Sequence, residues 1–115
     1  MEADSLSNLA SSGSATSNLT TAATEDSNIN IAISDSTTTM TAADLSAVTG
    51  STTGTVTLTN AQTITGTGAQ VKAALITDAV TLGAASDATV SDGVSAADAA
   101  AIAGTTNVTA AFTTG

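Results

Sequence analysis

The chain offers only carboxylates, hydroxyls and a single amine for chemistry. Its 115 residues include ten acidic side chains and one basic side chain, Lys72, but no histidine, cysteine, tryptophan or tyrosine. Without histidine or cysteine, the usual general bases, thiol nucleophiles and zinc ligands are missing. No group near Lys72 in the sequence would activate its amine, and nothing positions a carboxylate pair for hydrolysis. The sequence therefore predicts a protein that is not an enzyme.

The acidic side chains are the remaining candidates for a metal site. Calcium binds carboxylate oxygens, and the candidate ligands are Asp35, Asp87 and Asp92. The sequence has no EF-hand loop and no glycine-rich nonapeptide with its aspartate, so the alternative is a solvated acidic surface. Calcium is the one cofactor that the sequence suggests, with Asp92 and nearby Asp87 as the best-placed ligands.

Charge and composition exclude several kinds of partner. The formal net charge of −9 argues against nucleic acid and against an anionic membrane surface, because both are recognised by clustered Lys and Arg. No apolar run approaches the length of a transmembrane span, so membrane insertion is not expected. With a single aromatic residue and neither Tyr nor Trp, the chain has no stacking platform for sugars, and a glycan ligand is not expected.

Several segments alternate apolar and polar residues with the period of a half-buried strand. The segment 29–33 does so through Ile29, Ile31 and Ile33, and the segments 55–59 and 62–65 follow the same pattern. Residues 108–112 form a weaker candidate. The sequence therefore predicts several short strands, separated along the chain by alanine-rich segments.

Three helix starts of one kind lie between these strands. The segments 41–44, 67–70 and 95–98 each place a hydroxyl three residues before an Asp or Gln, the spacing of a capping box. Asp44 and Asp98 thereby gain a capping role. The first and third helices continue alike, and Gly50 and Gly104 each follow nine residues after the cap, where a left-handed residue ends a helix. The second helix lacks this glycine and is predicted to run on to Ile76.

The helix starts at Thr41, Thr67 and Ser95 recur at similar but unequal intervals, which indicates an internal repeat. Residues 28–115 are predicted to form the repeat domain, with units of approximately 28–60, 61–87 and 88–115. Residues 1–27 are rich in Ser, Thr, Asn and Ala, and they are predicted to be a flexible arm or linker. A degenerate first unit, or an arm that docks on a neighbour, is the alternative.

A repeat also explains how a chain with so few large aliphatic residues could form a stable core. Leu, Ile, Val and Phe make up only about 18% of the chain, and a single small core of that composition would be marginal. Stacked units share one continuous core. The predicted fold is an α/β solenoid of about three coils, with short parallel strands on one face and two-turn helices on the other. A parallel β-solenoid with alanine-rich loops is the alternative.

Three segments resemble a known style of repeat. These are Ile64–Val71 (ITGTGAQV), Val90–Ile102 (VSDGVSAADAAAI) and Thr52–Thr57 (TTGTVT). They resemble the "ITGT", "VSGT…ADANAL" and "TTGTVTA" repeats of very large secreted or cell-surface proteins of cyanobacteria, marine ones especially. The resemblance covers about residues 28–115, implies a surface, adhesive or matrix role, and transfers no catalytic residue.

The sequence favours a structural module in the extracellular space or at a cell surface. Open solenoid ends expose strand edges, so we expect a homo-oligomer or polymer formed through these ends or through the N-terminal arm. A virion protein, such as a bacteriophage fibre or decoration protein, is the alternative. A calcium-binding or ice-binding module is a further one, because Thr55, Thr57 and Thr59, like Thr63 and Thr65, share one strand face. The irregular spacing of the helix starts argues against a regular threonine array.

Overall fold

Short strands alternate with short helices along the chain. A computed structural model describes residues 2–105 and 107–112. The strands are β1 (Glu2–Asp4), β2 (Ala10–Ser11), β3 (Ser14–Ala15), β4 (Ile31–Ile33), β5 (Thr39–Thr41), β6 (Val56–Leu58), β7 (Thr63–Gly66), β8 (Thr81–Leu82), β9 (Ser86–Val90) and β10 (Val108–Phe112). The helices are α1 (Leu6–Leu9), α2 (Ser17–Glu25), α3 (Ala42–Thr49), α4 (Gly68–Lys72) and α5 (Ala96–Ala103), and α4 continues into a π-helical turn over Ala73–Thr77.

Two parallel sheets and a layer of helices make up the fold. The first sheet has the strand order β1-β4-β6-β8, and the second sheet has the order β5-β7-β9-β10. Strands β2 and β3 form a separate antiparallel hairpin. The predicted α/β fold with short parallel strands and short helices is confirmed. The strands do not share one face, however, because polar turn residues such as Ser34 and Asp35 redirect the chain between the strands of the two sheets.

Between β4 and β9, paired strands keep a nearly constant offset along the chain, whereas the terminal pairs β1–β4 and β9–β10 have a longer and a shorter one. In the second sheet, Thr39 lies beside Thr63 and Thr63 lies beside Asp87, so the interval in sequence is the same for both pairs. In the first sheet, Thr57 lies beside Thr81 at that same interval. The helix starts are less evenly spaced than these central strands because the loops between helix and strand differ in length.

Small aliphatic side chains fill the space between the layers. The strand cores are predicted well by the alternation pattern: Ile31, Ile33, Leu58 and Ile64 are all buried in one hydrophobic cluster. The helices contribute residues at helical spacing to the same cluster, which continues from one end of the described chain to the other. These are Leu45 and Val48, Val71 and Ala74, and Ile102. The core between the layers is therefore thin, and the many small alanine side chains suit this narrow space.

The predicted helix starts are confirmed at all three positions. The hydroxyls of Thr41, Thr67 and Ser95 each accept a hydrogen bond from the third backbone N–H of their helix. The predicted left-handed helix ends are wrong. Gly50 has φ −69° and Gly104 has φ −83°, so both are right-handed and simply extend the last helical turn.

Residues 2–27 differ from the predicted flexible arm. They contain β1, α1, the hairpin and α2, and their three leucines, Leu6, Leu9 and Leu19, are buried in the common core. The physical reason is that the thin core has an open end, which a few aliphatic side chains suffice to cover. Residues 113–115, which belong to the predicted last unit, lie outside the described residues.

Candidate functional site

The three candidate calcium ligands lie in different parts of the fold. Asp35 lies between β4 and β5, where its Oδ2 accepts from the Leu6 N–H at 2.6 Å. Asp92 follows β9, and its Oδ1 accepts from the Gly68 N–H at 2.7 Å. Asp87 is exposed on β9. Across residues 2–105 and 107–112, no three acidic side chains form a group that could hold a metal ion. The fold thus uses two of these carboxylates to join neighbouring segments.

The capping acids also join neighbouring segments. Asp44 Oδ1 accepts from the Gly13 N–H at 2.7 Å, which attaches the hairpin to the start of α3. Asp98 Oδ1 lies 2.8 Å from Lys72 Nζ, so the only basic side chain of the sequence links α4 to α5. Both partners of this ion pair are substantially exposed, and its contribution to stability is small, about 0–1 kcal/mol.

The outer face of the second sheet carries a regular threonine array, which we call the threonine face. The inward positions of its strands are apolar, as at Met40, Ile64 and Ala88. The outward positions form two columns across the sheet. One column consists of Thr39, Thr63, Asp87 and Thr109, and the other runs through Thr41, Thr65 and Thr89. The uneven spacing of the helix starts does not shift these strands, because β5, β7 and β9 keep their register while the loops absorb the difference.

Most hydroxyls of the threonine face are free to meet water. Elsewhere in the chain, threonine hydroxyls bond to the backbone, as Thr24 does to the Thr20 carbonyl and Thr49 does to the Ser46 carbonyl. Thr39, Thr63, Thr65 and Thr89 make no side-chain hydrogen bond to any described residue. Neighbouring hydroxyls are then about 4.8 Å apart from strand to strand and about 6.7 Å apart along one strand.

Both sheets end in strands with an unpaired side. Within the described residues, β1 and β8 are the outer strands of the first sheet, and β5 and β10 are the outer strands of the second. Beside β5 lies a groove of about 330 Å³ between this strand and the segment of α1 and β2. We call it the edge groove, and its lining includes Leu6, Ala10 and Met40. Unpaired strand edges are templates for pairing with a further strand.

Helix α5 is packed on fewer sides than α3, the helix with the matching capping sequence. Ala42 of α3 is fully buried, whereas Ala96, which holds the same position after the cap in α5, is exposed. The cause is that α3 packs between the hairpin and α4, while α5 packs against α4 on one side only. The exposed side chains of α5 are mostly alanines: Ala96, Ala97, Ala100, Ala101 and Ala103. Among residues 2–105 and 107–112, nothing covers this helix and β10 from outside, and together they form one end of the fold.

Comparison with known proteins assigns no role to these surfaces. Scans against protein-family models, curated proteins and solved structures found no match. None of the helices in the described part of the chain has the length and apolar character needed to cross a bilayer. Of the threonines singled out in the sequence, only Thr63 and Thr65 lie on the threonine face, whereas Thr57 lies in the first sheet. No local pattern signals the edge groove, which depends on how the two sheets are offset.

Proposed function

We propose that the chain is a non-catalytic structural module, an α/β solenoid whose copies associate end to end. The observation that carries this proposal is that each end of the fold, within the described residues, leaves edge strands of parallel sheets unpaired: β1 and β5 at one end, β8 and β10 at the other. Parallel sheets are ordinarily covered, and open edges in soluble proteins are usually blunted by charge, proline or a covering element. The chain contains no proline, and the edge strands β5, β8 and β10 contain no charged residue, whereas β1 carries Glu2 and Asp4.

Three coils support the solenoid. Each consists of a strand of the first sheet, a strand of the second sheet and a helix: β4-β5-α3, β6-β7-α4 and β8-β9-α5. The nearly constant offset between paired strands, as between Thr39 and Thr63, is in the range of repeat architectures. This coil carries strands in two sheets, which differs from the single strand face expected from the sequence. Each coil buries only a few aliphatic residues, so stacking is what makes the core continuous.

The resemblance to secreted and cell-surface repeats supports a location outside the cell. A single Lys and the scarcity of aromatic residues leave few sites for common proteases, which suits exposed surroundings. A virion fibre or decoration protein has the same requirements and is the alternative. Both locations need a stiff, soluble element that joins to copies of itself.

Self-association is tested by electron microscopy and analytical ultracentrifugation of the purified chain. We expect elongated particles whose length grows with concentration, because a head-to-tail contact does not close on itself. Samples with calcium and with chelator should look alike if the acids act only as hydrogen-bond acceptors. Dispersed monomers at high concentration in both conditions would contradict the proposal, and filaments only with calcium would assign a bridging role to the acids.

A second candidate function, ice binding, is favoured by the threonine face. An array of free hydroxyls with two repeats, one between strands and one along them, can hold a water layer in a fixed arrangement, which an ice-binding surface requires. The array is short, and Asp87 interrupts one column with a charge. Ordered water costs little when its partners are already in place.

Ice recrystallisation assays test this second candidate. The chain should inhibit the growth of ice grains, and Thr63→Tyr, in the middle of the threonine face, should remove most of the inhibition by interrupting the hydroxyl array. Tyrosine is a good strand residue, so the fold should tolerate it. Thr57→Tyr, on a strand of the first sheet, is the matched control and should retain activity. An inactive parent chain, or equal loss in both variants, would contradict ice binding.

A further inference from the structure

The two sheets of the molecule are offset by one strand. Strands β4 and β5, β6 and β7, and β8 and β9 follow each other directly, one in each sheet. Strand β1 extends the first sheet at one end, where the second sheet has no partner strand for it. Strand β10 extends the second sheet at the other end, where the first sheet stops at β8. Each end therefore has one projecting strand and one empty strand position.

The empty position at the first end is the edge groove. Its apolar lining comes from Leu6 and Ala10 on one side and from Met40 of β5 on the other. The backbone of β5 is paired with β7 on one side only. The groove is thus bounded by the free side of a strand, which is the geometry that an added strand requires.

The empty position at the second end lies beside β8. This strand has only two residues, Thr81 and Leu82, and β6 pairs with one side of it. Near its free side, the Asn107 amide donates to the Leu82 carbonyl at 2.8 Å and fixes the chain as it passes from α5 to β10. Among the described residues no strand pairs with this side of β8, but its Leu82 carbonyl is already bonded to Asn107, so a further strand could pair only with the remaining backbone groups.

We infer that two copies join by a lap joint in which each fills the empty position of the other. Strand β10 of one copy lies in the edge groove, parallel to β5 of the next copy. Strand β1 of that next copy lies beside β8 of the first. The inference rests on the proposed end-to-end association and specifies its partner and its strands. One shared coil then consists of a strand from each copy, and both sheets continue through the junction.

The register of the second sheet fixes which residues meet. Thr39, Thr63, Asp87 and Thr109 form one column because every strand pairs without a shift of side-chain position. Continuing the column across the joint places Thr109 of one copy beside Thr39 of the next. Val108 and Ala110 of β10, half-buried and packed against the core, then lie near the apolar lining of the groove.

Cysteine cross-linking tests this register, and the chain has no native cysteine to interfere. Within one copy, β5 and β10 are three strand spacings apart, about 14 Å, which exceeds the roughly 7 Å that a disulfide can span. A disulfide in the variant Thr39→Cys/Thr109→Cys therefore has to join two copies. Under mild oxidation, we expect a ladder of oligomers that a reductant collapses to monomer.

The single Lys72 identifies which cysteines are joined. After unfolding, trypsin separates residues 1–72, with the cysteine at 39, from residues 73–115, with the cysteine at 109. The lap joint predicts mixed disulfides between the two fragments in excess over the statistical mixture of random collisions. Thr57→Cys/Thr109→Cys is the control, because the joint does not bring these positions together, and it should give only the statistical mixture.

The outcomes separate the joint from the association itself. Circular dichroism first checks that both double variants fold like the parent chain. Elongated assemblies without an excess of the 39–109 link would overturn the lap joint and leave the proposed function standing. Monomers at high concentration, in the parent chain and in both variants, would overturn both.

Discussion

Replacing Gln62 by glutamate is expected to destabilise the protein by about 3–5 kcal/mol at neutral pH, because it buries an uncompensated charge. The Gln62 side chain is 2% exposed. Its Nε2 donates to the carbonyls of Asp35 and Ser36, and its Oε1 accepts from the Thr38 N–H at 2.9 Å. A carboxylate would turn oxygen toward both carbonyls and lose both donors.

The loss should depend on pH with a definite sign. Burial against carbonyl oxygens raises the pKa of a glutamate at position 62 in the folded state above its unfolded value. The unfolded state then releases its proton at lower pH than the folded state. Relative to the parent chain, the variant should therefore recover stability in acid, where a protonated carboxyl can donate to a carbonyl, and lose it as the pH rises through the folded-state pKa.

Urea unfolding at acidic and neutral pH measures this effect. Gln70→Glu is the matched control, since Gln70 is exposed and uses Oε1 to accept from the Thr67 N–H in the capping box. A carboxylate preserves that bond and suits a helix N-terminus, so the control should change stability by less than about 0.5 kcal/mol. Similar behaviour of the two variants would contradict the role assigned to Gln62.

Replacing Gly54 by alanine is expected to cost about 3 kcal/mol or more, at the upper end of what overpacking costs. An added Cβ would lie 2.5 Å from the Asn28 carbonyl oxygen and closer still to that of Ile29. Neither oxygen can withdraw easily, because Ile29 O accepts from the Thr52 hydroxyl and the adjacent Thr55 N–H donates to Asn30 Oδ1. The backbone at Gly54 therefore lies directly against the Asn28–Ile29 backbone, with no room for a side chain.

Gly50→Ala is the control for this position. Gly50 is right-handed with φ −69°, and its added Cβ would meet Ser46 O at 3.1 Å, a contact that a shift of a few tenths of an ångström relieves. We expect a change below about 1 kcal/mol, since alanine also restricts the unfolded chain. The midpoint of urea unfolding should fall clearly for Gly54→Ala and little for Gly50→Ala. Equal midpoints would show that the Asn28–Ile29 segment moves aside.

Features determined by a few consecutive residues could be predicted from the sequence. A hydroxyl at Thr41, Thr67 or Ser95 caps its helix through the third residue beyond it, so the spacing alone indicates the bond. The isoleucines of β4 likewise alternate with smaller residues at strand period. Helix endings were less predictable, because a right-handed glycine at Gly50 or Gly104 leaves the same sequence signal as a left-handed one.

Features that depend on distant segments could not be predicted. Strand β9 reads Ser-Asp-Ala-Thr-Val, whose small inward residues Ser86 and Ala88 give a weak alternation signal. Leu19 lies in a polar, Ser/Thr-rich segment, and only the open end of a thin core explains its burial. The threonine face needed the register of four strands, and the edge groove needed the offset between two sheets. Neither is expressed in any local pattern.

The direction of strand pairing gives the proposed assembly a mechanical property. Hydrogen bonds between parallel strands point along the stacking axis, so tension on a filament would load them one coil at a time. Releasing one coil, such as the stretch from Thr39 to Thr63, replaces a rise of about 4.8 Å by an extended chain of about 80 Å. The chain would then unfold and lengthen in steps before it ruptures, and the released segments could refold when the load falls. A tether of this kind absorbs shear.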